Sequence, residues 1–103
     1  MNAYLLTFDR NPLDYNYEEI HEKITAIPGL INWSHYLYSH YILVSNHRSS
    51  AAIMKDIHRA MGEHTFLVAK IDLAAVSGWM PAKSWEWVRT WRDFLNLLKE
   101  QKK

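Results

Sequence analysis

Three side chains stand where chemistry would be expected: Asp9, Arg10 and His35. Asp9 and Arg10 follow an apolar run at residues 3–8 whose period of two marks a β-strand, so the strand delivers a carboxylate at its C-terminal end. A strand-end carboxylate suits Mg²⁺, a hard cation that keeps several waters and needs only one or two protein carboxylates. Such a metal would activate water and stabilise charge on a phosphate, with Arg10 assisting. The plainer alternative is an aspartate that caps the Asn11-Pro12 turn. His35 lies in a second run of strand character, on one face with Ile31, Trp33 and Leu37. There an imidazole can act as a general base, or bond a phosphate when protonated. Its alternative is a buried histidine bonded to backbone or to a tyrosine. Both pairs of readings stay open on the sequence alone.

The remaining chemistry is sparser. His21, His40, His47, His58 and His64 show no metal-ligand spacing, and no His-Glu-x-x-His occurs. Asp14 and Asp72 read as turn or cap residues, with an added carboxylate ligand as the alternative. Arg10, Arg48, Lys55 and Arg59, with Lys83, Arg89 and Arg92 further on, would make a modest phosphate-contacting surface beside Tyr36, Tyr38 and Tyr41. Acidic residues nearly balance them, which equally describes an ordinary solvated surface. There is no Gly-rich phosphate loop, and no Ser-His-Asp arrangement is legible.

The elements that must hold these groups follow from periodicity. Residues 3–8 put Tyr4, Leu6 and Phe8 on one face, and Ala3, Leu5, Thr7 and Asp9 on the other. A helix is predicted over 15–27, with Tyr17, Ile20, Ile24 and Ile27 as its apolar stripe, Asn16 and Glu19 as a capping box, and Pro28-Gly29 as its stop. Strands are predicted over 30–38 and 41–45, joined by a tight turn at Ser39-His40. A second helix runs over 51–61 with Ser50 as N-cap and Gly62 as stop, and a last strand over 65–72. Gly78-Trp79-Met80-Pro81 is a turn, and Ser84 caps a third helix reaching towards Lys99, with Val88, Trp91, Leu95 and Leu98 as its stripe.

The order strand–helix–strand–strand–helix–strand is the ferredoxin-like α+β arrangement: a four-stranded antiparallel sheet with two helices on one face, the first strand central. Residues 1–76 form this core, and 77–103 a Trp-rich helical extension packed on the core or on a partner. Both faces of the first strand are apolar, and helices are expected on one side only. A second protomer therefore covers the other, which makes the chain a homodimer with Asp9 at the edge of the dimer face.

Composition bounds the function. The 103 residues suit one domain; they are 49% hydrophobic and 14% aromatic, and five Trp and six Tyr exceed what a small core readily buries, so some should line an interface. A net charge of +1 leaves any nucleic-acid binding to a local patch. No cysteine is present, which excludes disulfides and thiolate chemistry and fits a reducing cytoplasm. No apolar run approaches the ~20 residues of a membrane span, so no membrane association is expected.

With its first strand ending Tyr4-Leu5-Leu6-Thr7-Phe8-Asp9, the chain resembles the small ferredoxin-like subunit of the CRISPR adaptation complex. It is similar also to that subunit's relatives, the virulence-associated protein D toxins and, most closely, the proteins termed SinR-like. Trp33-Ser34-His35-Tyr36-Leu37, Gly78-Trp79 and Trp85-Glu86-Trp87 carry the last likeness. The resemblance implies a homodimer with facing sheets and an aspartate from each first strand near the two-fold axis. In some relatives that pair holds a divalent metal for phosphodiester cleavage; in others the protein is a scaffold for DNA. Only Asp9 maps onto the family's motif, since Trp33, His35 and Tyr36 replace the serine, phenylalanine and nearby arginine of the adaptation subunits' second strand. Two functions are thus expected. One is a dimeric nucleic-acid-associated protein with Mg²⁺-dependent endoribonuclease activity; the other is a non-catalytic dimeric module binding RNA, DNA or a partner protein in a defence or toxin–antitoxin system.

Overall fold

A computed structural model describes residues 1–8, 17–37 and 40–101. The elements are β1 (Asn2–Phe8), α1 (Tyr17–Thr25), β2 (Leu30–Leu37), β3 (His40–Ser45), α2 (Ser50–Met61), β4 (Phe66–Ile71), a 3₁₀ turn (Leu73–Ala75) and α3 (Ala82–Gln101). The strands form one antiparallel sheet in the order β2-β3-β1-β4. This is the ferredoxin-like fold expected from the element order, with β1 in the interior between the strands reached through crossovers.

The alternation in β1 divides the molecule into two layers. Tyr4, Leu6 and Phe8 join Tyr41 and Leu43 of β3 under α1 and α2, where Ile20, Ile24, Ile27, Ile53, Ile57 and Met61 close the main core. Most of these side chains are fully removed from water, each contributing about 1.5–3 kcal/mol through burial. The opposite face carries Ala3, Ile42 and Ile71, and here the structure departs from expectation. The chain supplies its own cover: Val88 is buried against Ala3 and Leu73, with Trp85, Trp87, Trp91 and Leu95 packed beside it. Helices therefore lie on both faces, and the need for a second protomer to cover the whole second face disappears. Trp87 Nε1 donates to Asn32 Oδ1 at 3.3 Å, fixing α3 against β2. Among the described residues no helix is long and apolar enough to cross a membrane.

Local chemistry explains where the element ends differ from the sequence reading. Ser49 rather than Ser50 caps α2: its backbone is extended and its hydroxyl accepts from Ala52 N at 3.1 Å. Gly62 ends that helix at φ 63°, a left-handed conformation that disfavours side chains, and its N–H donates to His58 O. His40, placed in a turn by the sequence, pairs with Leu37 as part of β3. Asp72 is a cap, its Oδ1 accepting from Ala74 N at 2.9 Å. Ser84 is not a cap. It lies inside α3, 1% exposed, and its hydroxyl has no hydrogen-bond partner among the described residues. Asp14 and the Asn16 half of the capping box lie outside the described residues.

Candidate functional site

The sequence singled out Asp9, Arg10 and His35. Asp9 and Arg10 lie outside the described residues; His35 is placed, on the face of β2 that looks towards α1. Its imidazole stacks on the ring of Tyr41, with centroids 4.0 Å apart and planes within 6°. Tyr41 is itself fully buried, and its hydroxyl lies 2.5 Å from Nδ1 of His21 on α1. A third ring, Trp33, meets His21 edge-on at 4.9 Å. Phe8, the last residue of β1, also stacks on Tyr41, with centroids 6.0 Å apart and planes 28° apart.

Each element contributes one reason for this convergence. Trp33 pairs with Leu43 across β2 and β3, so the β2 alternation sends Trp33 and His35 to the helix side. Tyr41 shares that face with Leu43. On α1, His21 adjoins the buried stripe of Ile20 and Ile24 and is left half-buried at its margin. Two imidazoles thus come within 5.9 Å of each other, with a phenol in contact with both.

That constellation has chemical capacity. The phenol can donate to His21 Nδ1, which would leave the ring proton on Nε2, or accept from Nδ1–H in the other tautomer. A histidine pair can divide the labour of general base and general acid across one reacting phosphate. The second of the two readings of His35, a histidine in contact with a tyrosine, describes its packing; that position also brings it to a second histidine.

The donor set does not fit Mg²⁺. Nitrogen and phenol groups are poor partners for a cation that takes oxygen ligands in octahedral geometry. No group of three or more His, Asp or Glu side chains that could hold a metal ion occurs among the described residues. The Mg²⁺ expectation therefore rests on Asp9 alone, and no chemical step is assigned to a metal here.

Sequence reasoning passed over His21, and offered Tyr41 only as an aromatic beside the basic residues. His21 was set aside for want of a partner at helical spacing, and its partners lie 14 and 20 residues along the chain, across the α1–β2 crossover. A half-polar residue beside an apolar helical stripe was the only local sign.

A second polar group is structural. His47 Nε2 lies 2.7 Å from Asp56 Oδ2 on α2, and its Nδ1 lies 2.9 Å from Ser45 Oγ. Serine, histidine and aspartate are in line, an arrangement the sequence did not reveal. The Ser45 hydroxyl is wholly buried and also accepts from His47 N at 3.1 Å, so it cannot meet a substrate. The group works as a clamp on the connection between β3 and α2. Its other arm is the His47 carbonyl, which accepts from Tyr4 OH at 2.7 Å and Asn2 Nδ2 at 3.0 Å. Burial pushes the Tyr4 phenol above its ordinary range, and the neighbouring Asn2 amide offsets part of that rise.

Two of the basic residues singled out for phosphate contact have acidic partners. Arg59 contacts Asp56 at 3.4 Å and Arg92 contacts Asp93 at 3.0 Å, so each is already matched by an acid. Comparison of the chain with family models, curated proteins and solved structures yields no match.

Proposed function

We propose that this protein is a homodimeric, nucleic-acid-associated protein that cleaves RNA through the His21–Tyr41–His35 group. The observation behind this reading is the pair of half-buried imidazoles 5.9 Å apart with a phenol bridging them. RNA is the favoured substrate because it carries its own nucleophile. One imidazole takes the proton of the 2′-hydroxyl, the 2′-oxygen attacks phosphorus, and the other imidazole returns a proton to the departing 5′-oxygen. The products are a 2′,3′-cyclic phosphate and a 5′-hydroxyl, and the histidines end with their protonation states exchanged. Mg²⁺ held at Asp9, with Arg10 assisting, is the competing chemistry on the same substrate.

The test compares RNA with its all-2′-deoxy counterpart, each with chelator and with Mg²⁺. Cleavage of RNA alone, undiminished by chelator, is the expected result. Cleavage that needs Mg²⁺ and is lost in Asp9→Asn would transfer the chemistry to the strand-end carboxylate. A second reading is a non-catalytic dimeric binding module of a defence or toxin–antitoxin system. It is favoured by the complete burial of Tyr41, and binding without cleavage of either polymer is its signature.

A further inference from the structure

A cleft of about 340 Å³ lies where the C-terminal half of α3 passes the start of β1 and the end of β4. Its floor is apolar: Ala3 and Leu73 are buried there, with Ile71 and Leu95 packed against them. Its rim is charged. Arg92, Leu95, Asn96 and Lys99 follow at i, i+3, i+4 and i+7, which is one face of the helix, and Lys70 lines the cleft from the edge strand β4. Among the described residues that line it, three cationic side chains meet one carboxylate, Asp72, in a chain whose net charge is only +1. Neither Lys70 nor Lys99 forms an ion pair among the described residues. Arg92 is held by Asp93 through Nε alone, so no described residue engages its two terminal amino groups. Asp72 is engaged through Oδ1, which accepts from Ala74 N, and its Oδ2 is left as an acceptor.

We propose that this cleft binds a nucleoside phosphate, with its phosphates on Arg92 and Lys99, its ring on the apolar floor and its ribose hydroxyls on Asp72. The proposal is independent of the histidine chemistry and of the oligomeric state. Arg92 and Lys99 stand two helical turns apart, ~10.5 Å along the axis. Linked phosphates spread their charge over that gap better than a single carboxylate does. A guanidinium fork also matches two oxygens of a phosphate, while Lys99 adds a point charge. The lone carboxylate fixes the other end of the ligand: it repels a phosphate and accepts from hydroxyl donors. Between the two ends the apolar floor asks for a ring. The volume lies in the range of small-molecule sites, which begins near ~300 Å³.

Isothermal titration calorimetry of the full chain with ADP, adenosine and pyrophosphate tests this, with wild type beside Arg92→Gln, Lys99→Gln and Lys83→Gln. ADP is expected to bind with a Kd below ~1 mM at low salt, more weakly as salt is added. Arg92→Gln and Lys99→Gln each remove a charge-assisted contact and raise that Kd roughly 10-fold or more, with native far-UV circular dichroism. Lys83 lies in the first turn of α3, away from the cleft, and Lys83→Gln leaves the Kd unchanged. Adenosine and pyrophosphate each lack one end of the ligand and bind at least ~10-fold more weakly than ADP. Pyrophosphate as tight as ADP would overturn the nucleoside assignment. No binding at ~1 mM ADP, or a Kd that Arg92→Gln and Lys99→Gln leave unchanged, would overturn the site. An all-2′-deoxy oligonucleotide that displaces ADP at far lower concentration would overturn the small-molecule ligand and make the cleft a contact for a nucleic-acid backbone.

Discussion

Tyr4→Phe separates two contributions of one buried hydroxyl, and pH tells them apart. Tyr4 is wholly buried, and its O–H donates to the His47 carbonyl at 2.7 Å. At neutral pH the substitution removes one donor but leaves that carbonyl bonded to Asn2 Nδ2, so no acceptor is stranded. The loss is then that of an ordinary hydrogen bond, about 1 kcal/mol, or roughly 4–8 °C in Tm for a domain of this size. Burial raises the phenol's pKa above the unfolded value of 10.0, so the folded state holds this proton more tightly than the unfolded chain. The associated stability is present in full below the unfolded pKa and is lost as pH rises through the folded one. Urea unfolding from pH 7 to 11 is the assay. Wild type starts more stable than Tyr4→Phe, and the gap shrinks above pH ~10 because only wild type must ionise a buried group. A gap that is constant or widens across that range would refute the reasoning.

Two serine substitutions probe α2 and α3. Ser49→Ala is expected to cost about 1 kcal/mol in chemical denaturation while Ser50→Ala costs only a few tenths, because the cap hydroxyl belongs to Ser49. Ser84→Ala should raise stability by about 1 kcal/mol, since it deletes a buried hydroxyl that has no partner; a loss of that size would mean the hydroxyl is bonded in solution.

What could be read from the sequence follows the range of the forces involved. The alternation in residues 3–8 and the pairing of Ile20 with Ile24 on one helix face are set by backbone geometry within one element, and both appear as read; Ile27, expected inside the same helix, joins the core from just beyond its end at Thr25. Single-residue choices were less legible: Ser49 and Ser50 are equally good caps on paper, and only the extended backbone at Ser49 decides between them. The Trp-rich stripe of α3 announced that it would be buried, yet not against what. Its landing on Ala3, Ile42 and Ile71 depends on the path of the whole tail.

The candidate site was legible in part for the same reason. His35 stood out because β2 alternation put it on an apolar face. His21 and Tyr41 reach it only through the α1–β2 crossover and the pairing of β2 with β3, contacts that leave no fixed spacing in the chain. The Ser45–His47–Asp56 clamp was hidden likewise, since Asp56 comes to His47 from the next helix. Asp9 and Arg10 were the strongest local signal and lie outside the described residues.

The most direct test of the central claim is the rate at which end-labelled RNA is cut in the presence of chelator by wild type, His21→Ala and His35→Ala. Removing a general acid or base should slow cleavage by roughly 10²–10⁴-fold in each variant, with dimer and fold intact. Wild-type cleavage retained in both variants, or no cleavage by wild type at all, would contradict the assignment of chemistry to this histidine pair.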